Sequence, residues 1–164
     1  RMKNLAKSFV YAFKGITYCL AHERNMRIHL CFTLFMFGFL TVHDFFEVTK
    51  TQFALLFAVC SSVLALECVN TAIEKSVDLS TKEINPVAAI AKDAAAGAVL
   101  IAAIGSVAVG LAILYQPDAF AKMAEYYKEN IPVLIALIVS IAAAFVFVFA
   151  GPHGIKNFFK KNIK

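Results

Sequence analysis

Residues 131–150 form a twenty-residue run without a single charge. A helix of that length rises about 30 Å, the thickness of a bilayer's hydrocarbon core. In lipid every backbone N–H and C=O must be paired inside the segment, so such a run folds as a membrane-spanning helix. The whole chain agrees with this reading. Of its 164 residues 60% are hydrophobic, with 16 Phe and no Trp, and the mean hydropathy is +0.73. A soluble domain is about half apolar. The expected fold class is an all-α integral membrane protein built as one bundle.

Three further apolar spans are expected, at residues 28–46, 51–78 and 88–115. The first has a short apolar centre. Residues 3–22 place Leu5, Phe9, Ala12, Phe13, Ile16 and Leu20 on one face, and Lys3, Lys7 and Lys14 on the other. This is the pattern of an amphipathic helix lying in the membrane interface, though a half-buried helix of a bundle has the same pattern. Between it and the first span lies a polar knot of His22, Glu23, Arg24, Asn25, Arg27 and His29. The two histidines are expected at the interface and not as metal ligands. Asn85-Pro86 closes a loop and starts a helix. A polar stretch at 116–130 is expected to hold a short surface helix, and Gly151-Pro152 to end the last span before a lysine-rich tail.

The net charge of +5 does not point to nucleic acid, because the cations are divided among the short polar segments and no nucleic-acid motif is present. Thirteen of the sixteen Lys and Arg fall on one side of the four spans, and Lys50, Lys122 and Lys128 on the other. The positive-inside rule assigns the first side, with both termini, to the cytoplasm. No cleavable signal peptide is expected, since the first twenty residues carry spaced lysines and lack a compact apolar segment. Cys19, Cys31, Cys60 and Cys68 show no CxxC or zinc-type spacing and are expected to be packing residues. Cys68 stands out because it adjoins Glu67.

The second span carries the chemistry. Glu67 is followed by Asn70, Thr71, Glu74 and Asp78, at 3, 4, 7 and 11 residues on. On a helix all five project from one side. With the span entering hydrocarbon near Thr51, Glu67 lies about 24 Å along it and Glu74 about 35 Å along. Glu67 is thus expected at the inner lipid boundary, with Glu74 and Asp78 in the headgroup layer. An ionisable group at that depth is costly and functional by default.

Phosphoryl transfer needs a base for the nucleophile, a cation on the phosphates and positive charge near the transferred group. Glu67 is placed to be the base. Glu74 and Glu23 are oxygen ligands suited to Mg²⁺, and Lys92 could neutralise phosphate charge. Plainer readings stand beside these. Glu23 with Arg24 is also a solvated ion pair, Glu74 and Lys75 are helix-end charges, and Asp78 either orders the helix end or joins the site. Residues 94–98, four Ala and one Gly, suit close helix packing. No GxxxxGK[ST] loop or protein-kinase motif set is present.

The run ALECVNTAIEKSVD, followed by NPVAAIAKDAAAGAVL and preceded by YAFKG and HERNMRIHL, resembles the bacterial membrane diacylglycerol kinase and undecaprenol kinase family over residues 3–115. The resemblance implies an ATP-dependent lipid kinase of residues 1–115, assembled as a homotrimer with sites shared between subunits. It implies Glu67 as catalytic base, Glu23 and Glu74 as Mg²⁺ ligands, and nucleotide contacts from Tyr11, Glu23, Glu74, Glu83, Asn85, Lys92 and Asp93. Asn70 belongs to the implied site. HERNMRIHL is similar to the Gram-positive branch, which implies undecaprenol as substrate, with diacylglycerol as the alternative. Residues 116–164, with the fourth span and basic tail, depart from the three-span pattern; the added helix needs a place at the periphery of the bundle. The tail reads as a stop-transfer charge cluster. A competing class, a small proton-coupled exporter, also uses four spans and one membrane glutamate, but expects no acidic cluster at the cytoplasmic end.

Overall fold

The computed structural model describes residues 2–81 and 83–162. Arg1, Lys82 and Lys164, which contribute to the basic bias, lie outside the described residues. Among the described residues six α-helices follow one another: α1 (Met2–His22), α2 (Arg24–Val42), α3 (Lys50–Ser80), α4 (Pro86–Leu114), α5 (Pro117–Glu129) and α6 (Ile131–Asn162). Four are long and apolar enough to cross a membrane: α2, α3, α4 and residues Ile131–Phe158 of α6. No strand occurs among the described residues. The chain is an all-α, multi-pass membrane protein, as the apolar runs require.

Local signals account for the boundaries. Glu23 alone separates α1 from α2; its extended backbone (φ −102°, ψ 118°) breaks the helix at one residue. α2 therefore begins four residues before the expected span and takes most of the polar knot into the helix. Thr49 and Gln52 form a reciprocal capping box at the start of α3, satisfying two N-terminal donors. Asn85 accepts hydrogen bonds from the N–H groups of Val87 and Ala88, with Pro86 following it. Its side chain is thus occupied as an N-cap.

The core is narrow, because apolar surface facing lipid need not be buried. Leu56, Cys60, Val63, Glu67 and Thr71 are the buried residues of α3. Their spacing is one helical stripe, and Glu67 and Thr71 continue the line that the apolar residues begin. α3 packs most extensively against α4, where Ala95 and Val99 are buried. Of the small residues at 94–98, Ala95 is the buried one; Ala94, Ala96 and Ala98 are exposed and Gly97 has open space beside it.

The segment beyond Leu114 is fastened at both ends. Near α5, the Gln116 amide accepts from the Glu47 N–H and donates to the Glu47 carbonyl, both at 3.0 Å. His43 and Phe45 meet Tyr126 and Tyr127 in an aromatic cluster. From there α6 runs back along α2 and reaches α1. At that end the buried Arg27 donates to the carbonyl of Val148 at 3.0 Å, and to those of Leu20 and Ala21 at 3.1 and 3.2 Å. One guanidinium thus ties α2 to the last turn of α1 and to α6. His22 of α1 and His153 of α6 also meet, with tilted rings whose centroids are 5.2 Å apart.

The helix path bends at Gly151 (φ 63°, ψ 172°) and resumes after Pro152. The expected end of the span is therefore a kink, and the basic tail is helical to Asn162. A side chain at Gly151 would meet the Arg27 guanidinium at 3.2 Å. Gly151→Ala is expected to cost about 1–3 kcal/mol, from left-handed backbone strain and displacement of Arg27. Thermal unfolding in detergent measures this, and an unchanged midpoint would contradict it.

Candidate functional site

The acidic stripe of α3 passes from the core into water as it runs toward the loop. Glu67 is 2% exposed, Thr71 is buried, Asn70 and Glu74 are partly exposed, and Asp78 is fully on the surface. Thr71 donates its hydroxyl to the Glu67 backbone carbonyl at 3.0 Å. Asn70 donates its amide to Glu74 Oε1, also at 3.0 Å. Because the two are four residues apart on one helix, this bond holds the Glu74 carboxylate along the stripe.

Glu67 has an unusual environment. His29 Nε2 lies 3.5 Å from its Oε1, yet Oε1 is buried and makes no hydrogen bond. Asn70 Oδ1 is likewise buried without a partner. Glu23 and Glu74 are near enough to couple electrostatically to Glu67. Three carboxylates from α3 and the α1–α2 break therefore share one field. The Cys68 thiol, next in sequence, lies beside Cys19 of α1. Both cysteines are free, and this contact is a packing link between α1 and α3.

Other predicted residues are spread around this centre. Lys92, in the second turn of α4, forms an ion pair with Asp78, closing the α3–α4 hairpin above the site. Its partner was not foreseen from the sequence, which treated the two residues separately. Asp93 and Glu83 are exposed, and Asn85 caps α4. Tyr11 is 67% exposed on α1, with Lys14 over its ring at 5.9 Å. Within one chain, the structure brings together Glu67, Glu23, Glu74 and Asn70, with the Asp78–Lys92 pair farther along. No contact draws Tyr11, Glu83 or Asp93 into that cluster.

Two residues were missed by sequence reasoning. Arg27 and His29 were grouped with the interfacial polar knot. Both face inward from α2, Arg27 to backbone carbonyls and His29 to Glu67. The signal available was the apolar run that begins immediately after Arg27, which lets α2 start early and turns these side chains onto the bundle.

Among the described residues, no group of three or more His, Cys, Asp or Glu side chains is arranged to hold a metal ion. Two carboxylates are enough for Mg²⁺, which binds through one or two of them plus phosphate oxygens and water. Glu74, restrained by Asn70, and Glu23 fit that donor set. The unpartnered Asn70 Oδ1 is a further oxygen next to Glu74.

Next to His29 opens an apolar cavity of about 580 Å³ between α2, α3 and α4. His29 lies at its site end, and Leu114, Tyr115 and Phe120 at the far end.

Comparison with known proteins matches residues 10–114 to the model of the prokaryotic diacylglycerol kinase family. A diacylglycerol kinase of Synechocystis sp. is 41% identical over 115 residues, 70% of this chain and 64% of that protein. An undecaprenol kinase of Bacillus subtilis is 41% identical over 110 residues, 65% of this chain and 85% of the relative. A diacylglycerol kinase of Helicobacter pylori is 34% identical over 102 residues, covering 60% and 75% of the two chains. No solved structure matches at a significant level. The matched residues include the buried glutamate, the acidic stripe and the α3–α4 hairpin, and the chain belongs to the prokaryotic diacylglycerol kinase family, a family of lipid kinases.

Proposed function

We propose that the protein transfers the γ-phosphoryl group of ATP to the hydroxyl of a membrane lipid, with undecaprenol as the acceptor. The observation that carries this reading is the buried Glu67, with an unpartnered oxygen, beside an apolar cavity and within the field of Glu23 and Glu74. A soluble substrate does not need that cavity, and an exporter does not need the acidic cluster.

Glu67 takes the proton of the lipid hydroxyl as its oxygen bonds to the γ-phosphorus, and the bond to the departing ADP breaks. Asn70 keeps Glu74 oriented during the transfer. Glu23 and Glu74 would hold Mg²⁺, which offsets the phosphate charge when bound. Lys92 and Asp93, with Tyr11, Glu83 and Asn85, form the nucleotide side of the site. A homotrimer with shared sites would let Tyr11, Glu83 and Asp93 of one chain serve the Glu67 of another. The basic bias puts the site and both termini in the cytoplasm, where ATP is available. Residues 1–115 are the kinase core, and residues 116–164 brace it from outside.

Undecaprenol is favoured by the HERNMRIHL segment and by the match to the Bacillus subtilis undecaprenol kinase, which extends over 85% of that relative. Diacylglycerol is the second reading, supported by an equal identity to the Synechocystis diacylglycerol kinase. Phosphorylation of the two lipids, compared side by side at matched concentration in mixed micelles, decides between them. A higher kcat/KM for diacylglycerol would reverse the assignment.

Lys92 provides a further test. Lys92→Met is expected to raise the KM for ATP about tenfold or more, through loss of one charge-assisted phosphate contact. The unfolding midpoint should move little, because the Asp78–Lys92 pair is solvent-exposed and exposed pairs contribute little. An unchanged KM would remove Lys92 from the nucleotide site.

A further inference from the structure

His29 was read as an interfacial residue, and nothing in the family match gives it a task. Its position suggests one. It sits on α2 six residues after Glu23 and two after Arg27. The buried Met26 and the three-carbonyl anchor of Arg27 hold that turn in place. The imidazole is therefore presented from a rigid part of the bundle. It stands at the boundary of two regions, lining the apolar cavity and approaching Glu67 Oε1 at 3.5 Å.

That separation is informative. It exceeds an N–H···O hydrogen bond, which is about 2.7–3.2 Å, and Oε1 has no hydrogen bond of its own. A buried carboxylate oxygen without a donor is a rare arrangement outside a site awaiting a ligand. Glu67 does not line the cavity itself, but a hydroxyl oxygen hydrogen-bonded to His29 Nε2 at the cavity end is also within reach of Glu67 Oε1, since the two atoms stand 3.5 Å apart. It can donate its proton to the carboxylate while the imidazole N–H, in the Nε2-protonated tautomer, donates to the hydroxyl oxygen.

We infer that His29 is a positioning residue, which orients the acceptor hydroxyl against Glu67 at the polar end of the cavity between α2, α3 and α4. The inference rests on the lipid kinase reading and deepens it. The ligand it handles is a primary alcohol on an apolar chain. Nucleotide binding does not involve it, since Glu74 lies farther along α3 and Lys92 is near the start of α4, paired with Asp78.

The test compares full-length His29→Met and His29→Gln with wild type in micelles, using ATP and undecaprenol. Misorientation of a reacting group by about 1 Å costs on the order of a hundredfold in rate. His29→Met should therefore lower kcat about 10- to 100-fold, with the KM for ATP unchanged. His29→Gln keeps an amide donor at similar reach and should recover most of the loss. Both variants should unfold at the wild-type temperature. Wild-type kcat in His29→Met overturns the inference, as does a Gln variant no better than Met. Loss of kcat in step with a falling unfolding temperature in both variants also overturns it, since His29 would then be structural. An inactive wild type would remove the lipid kinase reading along with it, whereas an active wild type beside an unaffected Met variant removes the inference alone.

Discussion

Glu67→Gln lowers the rate of phosphate transfer to lipid by about 10²–10⁴, the range over which a positioned general base accelerates a reaction. The side chain keeps its size and its place in the buried stripe with Val63 and Thr71, so packing with α4 is retained. The basic carboxylate oxygen is lost. Because the residue is buried, exchanging a carboxylate for a neutral amide does not unfold the helix pair, and it relieves the repulsion from Glu23 and Glu74. The expected result is an unfolding midpoint equal to or above wild type, unimpaired ATP binding and almost no labelled lipid product. Retention of most of the activity would take the role of base away from Glu67.

The second large effect is structural. Arg27→Leu removes the donor shared by the carbonyls of Val148, Leu20 and Ala21. Leaving a buried acceptor unpaired costs about 1–3 kcal/mol per group, so a loss of about 3 kcal/mol or more is expected. The lost contacts are those joining α6 and the end of α1 to α2, so the damage should begin there. Proteolysis at the Gly151–Pro152 connection within α6 should increase before the α3–α4 pair opens. Arg27→Lys should recover only part of the loss, because a single ammonium cannot replace the planar fork that reaches three carbonyls. Equal protection of that connection in Arg27→Leu and wild type would mean that α6 is held by apolar packing alone.

The contrast between these two residues shows what was legible in the sequence. Glu67 announces itself, since a charge within an apolar run has few innocent explanations, and its helical spacing to Glu74 and Asp78 places all three on one face. The four spans and the short helix α5 follow from hydropathy and from Asn, Pro and Gly punctuation in the same direct way. Arg27 gives no such signal. Its partners are backbone carbonyls, which carry no residue-specific pattern, and one belongs to a helix 121 positions away. The early start of α2 was hidden for a related reason. A polar cluster ordinarily marks a loop, but here Arg27 is absorbed by backbone carbonyls and His29 turns toward Glu67. His29 was ambiguous because an imidazole suits both an interface and a buried acid. Only the packing of α2 on α3 distinguishes the two.

The central claim is that this chain moves phosphate from ATP onto a lipid hydroxyl. The most direct measurement incubates the purified full-length protein with γ-labelled ATP, Mg²⁺ and undecaprenol in detergent micelles, then separates lipid from nucleotide. Label is expected in a lipid monophosphate, formed in step with ADP and dependent on added lipid. ATP left intact, or hydrolysed to free phosphate with no label in the lipid fraction from either undecaprenol or diacylglycerol, would contradict it.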